Sequence, residues 1–228
     1  MGSADRVSTG SDAIDSLLKG GLEKGVITNF YGSSATGKTN LCVEAAAEQA
    51  SRGRKVLYID TEGGFSTERF AQVGDKEKLE NVELSEPSTF NTQEDAVNEA
   101  SERADEVDLV IVDSLVALYR LEATGDDIPE ANQRLSSMLA SLSKAAREND
   151  IPVVVTNQVY SRFDKDGVEL AGRDVPRYWC KCLVELTDGS GRKARIERHR
   201  SLPPDRSVRF EITDDGIAEQ KEESGGVF

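Results

Sequence analysis

The sequence predicts an α/β fold, a mainly parallel central sheet flanked by helices with an antiparallel extension at its C-terminal end. Three observations predict it. Strand-like and helix-like segments alternate along most of the chain, the pattern of βαβ units. The run Leu109-Val110-Ile111-Val112 has no polar face, so it suits a strand covered on both sides. A glycine-rich segment, 32–39, joins a strand pattern to a helix pattern.

The elements follow in order. Residues 11–18 read as a short opening helix, ended by Gly20-Gly21. Residues 26–31 form the first core strand, and a helix runs over 38–51 after the glycine-rich loop. Residues 55–60 are an apolar strand ending in a carboxylate. The stretch 66–84 is mixed, with a short helix at 68–73. An acidic helix covers 92–106, and its carboxylates make a solvated face. A buried strand covers 109–113. Residues 129–149 form a long amphipathic helix with Pro129 in its first turn. Residues 152–157 form another apolar strand, and 182–186, 194–198 and 207–212 are closing strands. The chain ends in an acidic tail over 218–228.

Composition bounds the function. A length of 228 residues suits one domain over 1–228 with a modest core. No stretch reaches the roughly 20 apolar residues of a membrane helix, and the first ten residues lack the basic and apolar blocks of a secretory signal. Cytoplasm is therefore the expected compartment. Cys42, Cys180 and Cys182 suit neither a disulfide framework nor a zinc site. Cys180 and Cys182 are expected on one strand face, and the single histidine, His199, on a surface strand. Lys and Arg number 28 against 42 Asp and Glu, a net charge of −14. Such a field repels nucleic acid, unless the chain works in a high-salt cytoplasm. There the Debye length falls to about 3 Å near 1 M salt. The even spread of carboxylates along the chain favours a salt-loving source.

Residues Gly32, Ser33, Ser34, Ala35, Thr36, Gly37, Lys38 and Thr39 fit G-x-x-x-x-G-K-[ST]. In that motif, backbone N–H groups wrap phosphate oxygens, the lysine reaches the β- and γ-phosphates, and the hydroxyl ligates Mg²⁺. The helix N-terminus adds partial positive charge. Asp113 ends a buried strand, where ligands bind in open parallel sheets, and is a candidate Mg²⁺ residue. Glu62, in Asp60-Thr61-Glu62-Gly63-Gly64, is a candidate general base. It reads equally well as a loop carboxylate. In Thr156-Asn157-Gln158 a neutral amide can touch a γ-phosphate, or the pair can simply form a turn.

Five segments occur in one order: Ser8-Thr9-Gly10-Ser11 with Leu17-Leu18-Lys19-Gly20-Gly21, the phosphate loop, Tyr58-Ile59-Asp60-Thr61-Glu62-Gly63, Asp113-Ser114-Leu115, and Val155-Thr156-Asn157-Gln158-Val159. In this the chain resembles the RecA/RadA recombinase family over about 7–217, and within it the short, core-only archaeal RadB branch, paralogous to RadA. The resemblance implies a RecA-like P-loop NTPase core without an N-terminal helix-hairpin-helix domain. It implies ATP and Mg²⁺ as cofactors, with Lys38 and Thr39 on phosphate and Mg²⁺ and Asp113 beside the ion. Glu62 matches the catalytic glutamate, and Arg69 the arginine that stacks on adenine. Gln158 matches the residue linking the γ-phosphate to the second DNA loop, and Arg120 a position beside the first.

The departures from the family pattern carry information too. Gly125 is followed by Asp126 and Asp127, where the recombinases carry arginine, so the first loop is a poor phosphate contact. The second loop, 160–180, keeps Arg162, Lys165, Arg173 and Arg177, with Tyr178 and Trp179 at its end. Cations interleaved with aromatics suit single-stranded nucleic acid, although Tyr178 and Trp179 can equally open a core strand. The family's nucleotide-sensing histidine falls on Tyr178, its paired glycines on Gly172-Arg173, and the aspartate that caps a neighbour's ATP on Arg198. The resemblance thus implies a DNA repair and recombination accessory protein, a mediator that binds ATP-Mg²⁺ and single-stranded or branched DNA. Its ATPase would be weak and it would not exchange strands by itself. Its implied partners are the RadA recombinase and a Holliday-junction nuclease. Two alternatives stand beside it: an active DNA-dependent recombinase ATPase, and a KaiC-like signalling ATPase without nucleic acid.

Overall fold

The computed structural model describes residues 6–161, 168–170, 172 and 174–220. The elements run β1 (Arg6–Val7), α1 (Asp12–Leu17), β2 (Leu22–Glu23), β3 (Ile27–Gly32), α2 (Lys38–Ser51), β4 (Val56–Asp60), α3 (Thr67–Val73), β5 (Val82–Ser85), α4 (Phe90–Glu102), β6 (Leu109–Asp113), α5 (Tyr119–Glu122) and α6 (Ile128–Asn149). After these come β7 (Val153–Ser161), β8 (Val168–Leu170), α7 (Asp174–Trp179), β9 (Cys182–Thr187), β10 (Arg192–His199), β11 (Ser207–Thr213) and β12 (Gly216–Glu219). The main sheet has the order β12-β11-β10-β9-β3-β7-β6-β4-β5, with β8 attached to β7. From β9 to β5 the pairs are parallel, and β9 to β12 pair antiparallel. This is the RecA-like architecture with its antiparallel C-terminal extension.

Period-two alternation divides the core between the sheet's two faces. Leu57, Ile59, Val110, Val112, Val153 and Val155 pack with Val97 of α4 and Leu135, Met138, Leu139 and Leu142 of α6. Their strand neighbours Val56, Tyr58, Leu109, Ile111 and Val154 pack with Ile14 of α1 and Leu41, Ala45 and Ala46 of α2. Both faces of the central strands β3, β4 and β6 are dry, which is why the sequence shows continuous apolar runs there.

Most predicted elements lie within two residues of the observed ones. Thr89 starts α4 earlier than expected, through a capping box with Thr92. The strand β5 lies in the stretch read as mixed, and β12 carries the closing sheet to Glu219, past the expected start of the tail. Residues 221–228 lie outside the described residues. Tyr178 and Trp179 do not open a strand; they end the helix α7. Cys180 and Cys182 do not share a strand face. Cys180 precedes β9 and packs on the α6 side, whereas Cys182 begins β9 and packs on the α2 side. A helix end is set by its carbonyl partners, and Arg198 supplies them here by donating to the carbonyls of Arg177 and Cys180.

His199 is also not a surface residue. Its side chain is 1% exposed and lies 3.4 Å from Glu23 Oε2. Its Nδ1 accepts the backbone N–H groups of Ser201 (3.1 Å) and Leu202 (3.3 Å). Burial pushes the imidazole pKa down, opposed by Glu23 and aided by Arg6 and Arg200. A neutral histidine buried this way contributes stability above its unfolded pKa, near 6.5. That stability is lost progressively as pH falls from this value through the lower folded pKa, because the unfolded chain takes the proton more readily. Urea unfolding at pH 7.5 and 5.5 should show the decline, and a His199→Gln variant should show a smaller one. Equal declines in the two proteins would clear His199 of the effect.

Candidate nucleotide site

The site lies at the carboxyl ends of four adjacent strands, where parallel register sets the polar ends level. Asp60 of β4 pairs with Asp113 of β6, and Gly32 of β3 with Gln158 of β7. Gly32 opens the phosphate loop against β9: a Cβ there would lie 2.1 Å from the Leu186 carbonyl oxygen, so no side chain fits. Ala35 has φ 64°, a left-handed conformation that costs a non-glycine residue roughly 1–3 kcal/mol. The loop is held in shape by the Thr36 hydroxyl, which donates to the Ser33 carbonyl at 3.0 Å.

Lys38 is buried at the start of α2. Its ammonium donates to the carbonyls of Gly32 (3.0 Å) and Ser33 (2.7 Å), so it folds back into the concavity of the loop. Burial pushes its pKa down, and Asp113 and Glu62 push it back up. Asp113 is buried and accepts three hydroxyl donors. Thr156 donates to Oδ1 (2.5 Å), Tyr58 donates to Oδ2 (3.0 Å), and Thr39 also donates to it. Burial still raises the Asp113 pKa above the carboxylate norm, against these three bonds.

Glu62 is exposed at the mouth. Its Oε1 accepts from the Ser114 hydroxyl (2.8 Å) and from the Gln158 amide (3.0 Å). Asp60 shapes the loop beneath by accepting the N–H groups of Glu62 (3.0 Å) and Phe65 (2.7 Å). Thr61 and Ser114 clasp the ends of β4 and β6: the Thr61 hydroxyl donates to the Ser114 carbonyl (2.8 Å) and accepts its N–H (2.9 Å). Arg120 extends the chain by donating to Gln158 Oε1 at 3.4 Å.

The structure thus brings together the 32–39 loop, Glu62, Asp113, Gln158 and Arg120. Arg69 sits on α3, where its Nη1 donates to the carbonyls of Thr213 (2.8 Å) and Asp214 (3.1 Å). Arg177 and Trp179 are on α7. Arg177 is ion-paired with Glu197, and the Trp179 indole N–H donates to Ser136 of α6 at 3.0 Å. The exposed ring is that of Tyr178, at 71%, stacked edge-on against Trp179 with centroids 5.3 Å apart. Arg162, Lys165 and Arg173 lie outside the described residues. Asp126 and Asp127 form an exposed turn just before α6. Ser114, Thr61, Tyr58 and Thr156 were not singled out individually from sequence. Each lies inside or beside a quoted motif, but a hydroxyl carries no signal until the fold supplies its partner.

A model of the Rad51 family matches residues 3–220. The chain belongs to that family. Relatives called "DNA repair and recombination protein RadB" include one from Methanothermobacter thermautotrophicus, 40% identical over 230 residues, covering 95% of this chain and 97% of that protein. One from Methanosphaera stadtmanae is 38% identical, covering 91% and 93%, and one from Halobacterium salinarum is 36% identical, covering 92% and 93%. Among solved structures, a crystal structure of the RadB recombinase aligns with a TM-score of 0.80 at 35% identity, covering 94% of this chain and all of that one. The family is thus one of DNA repair and recombination proteins. Among the described residues no helix is long and apolar enough to cross a membrane.

Proposed function

We propose that the chain is a nucleotide-switched accessory of DNA recombination, a cytoplasmic mediator that binds ATP-Mg²⁺ and single-stranded or branched DNA and hydrolyses ATP slowly. The reading rests chiefly on one observation: the lysine-bearing loop, Glu62, Asp113 and Gln158 converge at the ends of four parallel strands. The donor set fits the groups assigned to it. Lys38 and the N-terminus of α2 offer positive charge inside the loop, suited to a triphosphate. Gly32, Ser33, Ser34, Ala35, Thr36 and Gly37 would wrap it with backbone N–H groups. Thr39 and Asp113 offer the hard oxygen donors Mg²⁺ prefers. Bound there, the ion would neutralise phosphate charge. Glu62 is exposed and can accept a proton from water, while Ser114 and Gln158 orient its carboxylate. Arg69 would stack on the base. The amide of Gln158 is engaged by Glu62 on one side and Arg120 on the other, so a rearrangement at the nucleotide would reach the bases of both loops.

For DNA, we assign Arg120, Arg177 and Trp179, together with Arg162, Lys165 and Arg173, which lie outside the described residues. Tyr178 offers the stacking ring, Trp179 buttresses it, and Lys181 lies 5.7 Å from its centroid. Arg177 would exchange Glu197 for a phosphate. RadA and a Holliday-junction nuclease are the proposed partners. The net charge of −14 and the exposed Asp126-Asp127 turn favour a second reading, a signalling ATPase without nucleic acid.

The test is ATP hydrolysis with Mg²⁺ in molar KCl, with and without single-stranded DNA, while Trp179 emission is followed. Trp179 is the single tryptophan, so the signal reports α7 alone. The expected result is slow hydrolysis unmoved by DNA, with an emission change on DNA addition. Strong stimulation would mean a recombinase motor; neither stimulation nor an emission change would favour the signalling reading.

A further inference from the structure

We propose that Glu44 is a positioning residue for the base end of the nucleotide site: it fastens the β11–β12 turn, whose carbonyls hold Arg69. The inference rests on the nucleotide reading above and adds to it a residue outside every motif.

Glu44 lies in the second turn of α2, the helix that begins with Lys38, and is 4% exposed. A carboxylate buried that deeply needs a partner. Its Oε2 accepts the Ile217 N–H at 2.8 Å. The carbonyl of Ile217 accepts the Ser11 hydroxyl at 2.7 Å. Among the described strands, β12 ends the sheet and pairs with β11, and at Ile217 both backbone groups are satisfied by side chains of α2 and the α1 cap. Gly216 has φ 130°, and a Cβ there would lie 2.7 Å from Glu44 Oε1. The turn is therefore fitted against this carboxylate. Thr213 closes it by donating its hydroxyl to the Gly216 carbonyl at 3.0 Å.

Arg69 grips the same turn from α3. Its Nη1 spans the carbonyls of Thr213 and Asp214 and reaches Gln72 Oε1 at 3.1 Å. Its Nε and second amino group are buried with no hydrogen-bond partner. Glu44 and Arg69 thus hold one turn from the P-loop helix and from the base side. If the turn slips, Arg69 loses the carbonyls that set its plane, while the Thr36 and Lys38 bonds that hold the phosphate loop, made to Gly32 and Ser33, do not involve the turn. The charged groups facing Glu44 are Arg69 of α3, Asp15 of α1 and Glu48 of α2. Burial pushes the Glu44 pKa up to about 7, against the Ile217 N–H and Arg69, which lower it, while Asp15 and Glu48 raise it. Near neutrality the carboxylate takes up a proton, and its attraction for the guanidinium fades.

The experiment is calorimetric titration of the full chain with ATP and with inorganic tripolyphosphate, both with Mg²⁺, at pH 8 and pH 6. Tripolyphosphate has no base and reports the phosphate loop alone. Glu44→Ala should bind ATP roughly tenfold more weakly at pH 8, a typical size for coupling through a packed contact, and tripolyphosphate as the wild type does. Wild-type ATP affinity should fall from pH 8 to pH 6 by more than tripolyphosphate affinity does. Glu44→Gln keeps an acceptor for Ile217 and the side-chain volume, so it should fold even if the alanine variant does not. It should lose the ATP-specific part of the pH dependence. Equal weakening of both ligands in Glu44→Ala, or an unchanged pH dependence in Glu44→Gln, would overturn the assignment. A wild-type protein that binds neither ligand would overturn the nucleotide reading, and this inference with it.

Discussion

Lys38→Ala is expected to weaken ATP binding by at least about a hundredfold, with the fold intact. Hydrogen bonds to a charged group are worth about 1.5–3 kcal/mol each, and a lysine on two phosphates makes more than one, so a loss near 3 kcal/mol corresponds to roughly a hundredfold. The folded state without nucleotide should tolerate the change. The ammonium is buried, burial pushes its pKa down, and its partners are two carbonyls rather than a carboxylate. Removing a desolvated cation offsets the loss of those two bonds. The measurement is the melting midpoint with and without ATP-Mg²⁺. The wild type should melt higher with ligand, as mass action requires. The variant should melt close to the wild type without ligand and should not respond to ATP. A variant that still gains stability from ATP would sink the phosphate-loop assignment.

Most of the architecture could be read in the sequence because parallel strands buried on both faces leave unbroken apolar runs. Val56–Asp60, Leu109–Asp113 and the start of β7 are of this kind, and each marks its own end with a polar group. The helix α2 was legible for a different reason, since the phosphate loop dictates where its first turn begins. The misread segments lack such constraints. Residues 174–179 are short, and their helix depends on Arg198, a residue on another strand, capping its end. His199 sits in a run of charged residues that reads as exposed. Its burial comes from Glu23 on β2, which no local pattern announces. The site divides in the same way. Lys38, Glu62, Asp113 and Gln158 were legible from motif position. Ser114, Thr61 and Glu44 matter through partners that are 52, 53 and 173 residues away, and spacing carries no trace of such contacts.

Glu62→Gln should reduce hydrolysis by about 10²–10⁴, the usual contribution of a positioned base, and leave ATP affinity near the wild-type value. Two carboxylates compete for the role of base, and their surroundings decide between them. Asp113 is buried and already accepts hydroxyls from Thr156, Tyr58 and Thr39. Its burial keeps bulk water from it, and three of its roughly four acceptor sites are already taken. Glu62 is exposed, and among the described residues its Oε2 carries just the longer Gln158 contact, at 3.2 Å. Glutamine keeps the size of Glu62 and one oxygen for the Ser114 hydroxyl, so the Thr61–Ser114 clasp should hold and the melting midpoint should move little. The Gln158 amide donates to the Glu62 carboxylate and so orients it, without itself being a proton acceptor. Releasing that amide with Gln158→Ala should therefore not mimic Glu62→Gln. Single-turnover hydrolysis by the two variants separates the roles. Equal losses would make Gln158 part of the proton-accepting unit, and wild-type hydrolysis by Glu62→Gln would place water activation elsewhere.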